Sequence, residues 1–80
     1  MVNEATIYIR LLDEGVETWR PTTAEEVRPG VFMILPSTSF DPETETWEFT
    51  PGQLVECELQ EKLNRGHPEK VLVALNLFNS

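Results

Sequence analysis

The feature that most constrains this chain is the alternation of apolar and polar side chains in short segments. In residues 6–12, Ile7, Ile9 and Leu11 fall on one face, with Tyr8 and Arg10 on the other. A period of two residues is that of a β-strand with one buried face. Segment 53–63 alternates in the same way, which predicts three inward side chains there: Val55, Cys57 and Leu59.

Two further segments are continuous apolar runs. Residues 31–35 are apolar throughout and are stopped by Pro36, and residues 71–77 are apolar except at Asn76. Runs of this length are typical of strands buried on both faces, and we expect the first to be central. Residues 46–49 predict a shorter strand that leads into a turn at Pro51 and Gly52.

The first two strands are expected to form a hairpin. Asp13, Glu14 and Gly15 predict a turn with Gly15 in the left-handed region, followed by a strand over residues 16–22. If Leu12 faces Val16, Trp19 lies opposite Ile9 in the core and Arg20 lies opposite Tyr8 on the outer face.

Two other segments predict irregular structure. Residues 23–26 form a capping box in which Thr23 and Glu26 satisfy each other's amides, which predicts a short helical turn before Pro29 and Gly30. Residues 36–45 are rich in Ser, Thr, Pro and acidic residues, and we expect them to form a mobile loop. Residues 64–70 are expected to close the last hairpin.

These segments predict one all-β domain over residues 1–80. The chain is 40% hydrophobic, as ordinary globular domains are, and it has no room for a second core. Five or six short antiparallel strands, with at most one short helical turn, favour a small SH3-like barrel.

Two stretches resemble a signature found in small, largely uncharacterised bacterial proteins. They are IYIRLLDEGVETWRP at residues 7–21 and WEFTPGQLVEC at residues 47–57. The resemblance implies the SH3-like barrel. It supplies no catalytic residues, so function must be argued from a site.

Charge restricts the possible partners. The chain has 14 acidic and 6 basic residues and a formal charge of -8. A field of this sign opposes binding to DNA or to anionic membranes as the main function. No stretch reaches the length of an apolar membrane helix, and we expect a cytoplasmic protein.

The residue types that support catalysis are scarce. Cys57 is the one cysteine and His67 the one histidine, and the predicted strands separate them by about 30 Å, at about 3.3 Å per residue. We therefore predict no catalytic dyad, no enzymatic activity and no cofactor. The acidic residues near the long loop lack the spacing of a calcium loop, so no metal site is predicted: Asp41, Glu43, Glu45 and Glu48.

The remaining hypothesis is an acidic interaction module that docks a basic protein surface or peptide, as a monomer or a homodimer. Aromatic rings beside carboxylates bind cationic side chains. The expected contacts combine both: Tyr8, Asp13, Glu14, Glu17, Glu45, Trp47 and Glu48. The alternative is a nucleic-acid-associated barrel, most readily one that binds RNA, through a face formed by Tyr8, Arg10 and Arg20.

Overall fold

The computed structural model describes residues 3–13, 15, 18–36, 45–64 and 66–78. These residues form six strands and no helix: β1 Glu4–Leu12, β2 Thr18–Arg28, β3 Val31–Ile34, β4 Thr46–Trp47, β5 Leu54–Asn64 and β6 His67–Leu77. No helix in the described part of the chain could cross a membrane.

The strands form one sheet that closes on itself. Neighbouring strands follow the order β2-β3-β5-β6-β1-β4, and β1 also pairs with β2, which completes a ring of five strands with β4 attached to β1. The β1–β6 pair is parallel and the other pairs are antiparallel. Because five strands of alternating direction are joined in a ring, the first and the last run the same way. The predicted small all-β barrel is confirmed, with this pair as the exception to antiparallel pairing.

The barrel core contains the predicted inward face of β1. Ile7, Ile9 and Leu11 are buried there, together with side chains from every other part of the ring. Central β3 is buried at three of its four positions, as its apolar run predicts. Burial of each large aliphatic side chain stabilises the fold by about 1.5–3 kcal/mol. Other core residues include Ala24, Phe32, Ile34, Trp47, Phe49, Val55 and Ala74.

The β1–β2 register differs from the predicted one by one residue. Ile9 lies opposite Arg20, and Arg10 lies opposite Trp19. Because side chains alternate between faces, this shift moves Trp19 from the core to the outer face. The observed register instead buries the small side chains of Thr22 and Ala24 on the inner face of β2, where neighbouring strands leave little room.

The predicted helical turn at residues 23–26 is wrong, because these residues lie inside β2. Glu25 pairs with Glu4 of β1 and with Met33 of β3. A capping box contributes about 1 kcal/mol. Hydrogen bonds to strands on both sides and the burial of Ala24 outweigh that local preference.

The turns also differ from their predicted positions. Asp13 adopts the left-handed conformation, with φ 61°, in place of Gly15. The predicted turn at Pro51 and Gly52 is confirmed, with φ 94° at the glycine. The last hairpin is longer than predicted, since β5 and β6 remain paired as far as Asn64 and His67.

The prediction of an inward face on β5 is correct only for the first part of the strand. Val55 is fully buried and Cys57 is half-buried against the core, whereas Leu59 is 61% exposed. The prediction for Leu59 is wrong because β3 pairs with β5 only over residues 54–56. Beyond them, within the described residues, β5 is paired with β6 alone. In the predicted mobile loop, residues 37–44 lie outside the described residues.

Candidate functional site

The short strand β4 brings two acidic segments of the chain together. Leu11 pairs with Trp47 and Leu12 with Thr46, and the Glu48 amide donates to the Arg10 carbonyl at 2.9 Å. Asp13 follows Leu12 directly, so the same register places it next to Glu45, while Glu48 lies opposite Arg10 at the other end of β4. We call the resulting surface, formed by Asp13, Glu45 and Glu48, the acidic end.

Asp13 and Glu48 supply the open charge of the acidic end. Both side chains are exposed, and neither forms an ion pair with another described residue. The left-handed backbone of Asp13 is one that Asp and Asn adopt more readily than most other residues. The residue type therefore serves both the turn and the charge. Glu14 and Glu17, also predicted as contacts, lie outside the described residues.

Glu45 is held in place by two side chains. Arg20 forms a salt bridge with it through Nη2 and Oε2, and Arg20 Nε donates to Oε1 at 3.3 Å. Trp47 Nε1 donates to the same oxygen at 3.0 Å. The hydrogen bonds from Arg20 and then from Trp47 lower the pKa of the Glu45 carboxyl from its usual 4.5. This carboxylate anchors the chain before β4 to β2.

Replacement of this carboxylate should change the acid stability of the protein. Because the folded-state pKa of Glu45 lies below its unfolded value, its contribution is present at neutral pH and is lost as pH falls through the folded pKa. Glu45→Gln should therefore lower the melting temperature at neutral pH. The melting temperatures of the variant and the wild type should approach each other as the pH is lowered. Thermal unfolding followed by circular dichroism across the acid range measures this.

The partner variant provides the control for this prediction. Arg20→Gln removes the first cause of the lowered pKa of Glu45. The difference in melting temperature between this variant and the wild type should therefore become smaller over the same acidic pH range. Parallel melting profiles for Glu45→Gln and the wild type at every pH would contradict the assigned role.

The two tryptophans occupy the reverse of their expected environments. Trp47 is 4% exposed and part of the core, so its ring is not among the exposed aromatic side chains. Trp19 is half-buried on the outer face, as is Tyr8. Phe49 is buried in the core.

Tyr8 and Trp19 lie at a cleft of about 180 Å³, whose other lining residues are Lys62, Leu63, Glu69 and Val71. Lys62 Nζ lies 4.3 Å from the centroid of the Trp19 ring, within the range of a cation–π contact. The sequence indicated Tyr8, but it did not indicate Lys62, because this contact joins β2 to a strand that lies more than 30 residues later.

The face expected for nucleic acid is not assembled. Tyr8 and Arg10 share the outer face of β1, but the one-residue shift places Arg20 on the side of Ile9. There its guanidinium is engaged by Glu45. The alternative hypothesis loses one of its three side chains.

The cysteine and the histidine are far apart along the last hairpin. His67 pairs with Asn64, whereas Cys57 pairs with Ala74 at the opposite end of the ladder. Burial raises the pKa of the Cys57 thiol to about 11, so little of it is present as the nucleophilic thiolate at neutral pH.

A metal site would need several side chains of these types to converge. Within the described ranges, no group of three or more His, Cys, Asp or Glu side chains could hold a metal ion. Asp41 and Glu43 of the loop fall outside those ranges.

The resemblance to small bacterial proteins stays a prediction. Comparison with protein-family models, with curated protein sequences and with solved structures finds no match to this chain.

Proposed function

We propose that this barrel is a non-enzymatic binding module that docks a basic protein surface or peptide at its acidic end. One observation carries the proposal: β4 pairs with the end of β1, so Asp13 lies next to Glu45, and Glu48 lies on the same edge farther along β4, opposite Arg10. Two acidic segments that are more than 30 residues apart in the chain thereby form one surface. A charged surface formed by tertiary pairing is suited to recognise a partner of opposite charge.

The carboxylates of the acidic end have two different roles. Arg20 neutralises Glu45, which fixes the position of β4, while Asp13 and Glu48 remain exposed for a partner. The surrounding chain, at -8 overall, accelerates the approach of a basic molecule and repels acidic ones. This arrangement favours rapid, salt-sensitive association.

The outer cleft supports a cationic partner as well. The Lys62 ammonium group lies over the Trp19 ring of this cleft in a cation–π contact. The cleft therefore has the chemistry to contact a lysine or arginine side chain of a partner. Tyr8 lines the same cleft from β1, the strand whose end carries Asp13. A basic peptide lying along β1 would therefore meet carboxylates first and aromatic rings next.

The test compares two double variants of equal charge. Asp13→Asn with Glu48→Gln removes both open carboxylates and keeps a residue at position 13 that tolerates the left-handed backbone. Glu56→Gln with Glu58→Gln removes two exposed carboxylates from β5, which pairs with neither β1 nor β4. A fluorescein-labelled oligo-lysine peptide serves as the probe, with affinity measured by anisotropy at low salt.

We expect the acidic-end variant to bind the probe roughly 2- to 30-fold more weakly, since each of the two exposed ion pairs contributes about 0.2–1 kcal/mol. The β5 variant should change affinity by less than about 2-fold, because it alters only the distant field. Equal losses in the two variants would show that net charge, and not the acidic end, determines binding.

Capture from a lysate with stepwise salt elution then identifies the natural partner. A basic protein that is retained by the wild type and lost by the acidic-end variant supports the proposal. Recovery of RNA in its place would favour the nucleic-acid alternative.

A further inference from the structure

The outer half of the last hairpin extends beyond the barrel ring. We call residues 58–71 the arm. On one side, β3 pairs with β5 only over residues 54–56, and on the other, β1 pairs with β6 only at Leu72 and Val73. Within the described residues, the two strands of the arm are therefore paired with each other alone. A two-stranded ribbon is marginally stable in water without further packing.

One face of the arm carries exposed leucines. Leu59 is 61% and Leu63 is 79% exposed, and they lie on the same face because they are four residues apart in a strand. Glu61 lies between them, directly opposite Lys70. Lys62 belongs to the other face and contacts Trp19 of the barrel. Leu59 and Leu63 alternate with Lys62 along β5, and Leu63 at the tip also borders the cleft that contains the Trp19 contact. The leucine face is apolar around a single pair of opposite charges.

Charge distinguishes the arm from the rest of the molecule. Residues 58–71 contain three acidic and three basic residues, so the arm is formally neutral and the whole -8 belongs to the remainder of the chain. A basic partner is attracted by the net charge of the remainder, to which the arm adds none. A second copy is repelled by the remainder, so the arm is where two copies can approach each other.

We infer that two copies of this chain associate through the leucine faces of their arms. A two-fold axis running along the arm places Glu61 of one copy opposite Lys70 of the other, twice by symmetry. The same axis places Leu63 opposite Pro68 of the second copy, according to the β5–β6 register, and brings Leu59 to the edge of the half-buried Leu72, which packs against its own core. The face is therefore complementary to itself in both charge and apolar surface. It is separate from the acidic end, which stays open in the pair.

The first test is the mass of the full chain by sedimentation velocity over a range of concentrations. We expect the wild type to form dimers in the micromolar range and Leu63→Glu to raise the dissociation constant at least about 10-fold. The matched control is Leu75→Glu, which places the same charge at a 39% exposed leucine outside the arm and should leave dimerisation unchanged. A wild type that stays monomeric at several hundred micromolar overturns the inference.

Charge exchange tests the pairing itself. Glu61→Lys alone and Lys70→Glu alone each give two like charges across the proposed axis, so each variant should dimerise at least about 10-fold more weakly. An equimolar mixture of the two should form heterodimers with wild-type affinity, because each lysine of one variant then meets a glutamate of the other. Within a chain both variants keep a like-charged pair, so folding defects would not be rescued by mixing. Failure of the mixture to associate contradicts the proposed axis.

Discussion

Ala24→Asp is expected to destabilise the barrel strongly at neutral pH. Ala24 is fully buried in the core and lies opposite Ala5 of β1 and Ile34 of β3. An unpaired carboxylate there destabilises the fold by about 3–5 kcal/mol, a large part of the roughly 5–15 kcal/mol that holds a domain together. Chemical denaturation followed by circular dichroism measures the loss.

The neighbouring position provides the control for Ala24→Asp. Thr23 is exposed on the outer face of β2, so Thr23→Asp should change stability by less than about 1 kcal/mol. If residues 23–26 formed a helical turn, an aspartate at position 24 would lie in its first turn and would be mildly favourable. A folded Ala24→Asp variant of wild-type stability would therefore contradict the strand.

Trp47→Ala should produce the second large loss, of about 3–5 kcal/mol. Trp47 is 4% exposed, and its removal leaves a cavity between β4 and the core. The substitution also removes the indole donor to Glu45. Because β4 has only two residues, we expect the acidic end to lose its arrangement together with this side chain.

The other tryptophan is the matched control for Trp47→Ala. Trp19 is half-buried on the outer face, and Trp19→Ala removes the contact with Lys62, which should lower stability by about 1 kcal/mol. Urea unfolding of both variants gives the comparison. Equal losses would contradict the assignment of one tryptophan to the core and the other to the surface.

The alternation of apolar and polar residues was sufficient to predict the strands in which that alternation is clear, together with their buried faces. Ile7, Ile9 and Leu11 are buried because alternation over a whole strand leaves one favourable orientation toward the core. The apolar run of β3 predicted a buried central strand for the same reason. The turn at Gly52 was predictable because its left-handed backbone suits glycine.

The second strand was not predictable in this way. Trp19 is a larger apolar residue than Thr22 or Ala24, so the pattern favoured burying it. The ring closes with β2 between β1 and β3, and the inner face of β2 then accommodates small side chains better than an indole. The capping box at residues 23–26 is a local signal, and pairing on two sides overrode it.

The candidate site was also predictable only in part from the sequence. The acidic character of residues 13–17 and 45–48 was evident in the sequence, and so was the shortage of catalytic residues. Their adjacency depends on the pairing of β1 with β4, which no local pattern encodes. The position of Lys62 over Trp19 likewise depends on contact between distant strands.

Local periodicity, charge and turn residues are properties of neighbouring side chains, and they already specify an acidic, all-β chain with strands close to those observed. Register, the inner or outer orientation of each tryptophan, the assembly of the acidic end and the exposure of Leu59 and Leu63 depend on which strands meet when the ring closes. A one-residue shift between two strands exchanges every side chain between the faces. That choice is made by packing across the whole barrel, so only the tertiary structure decides it.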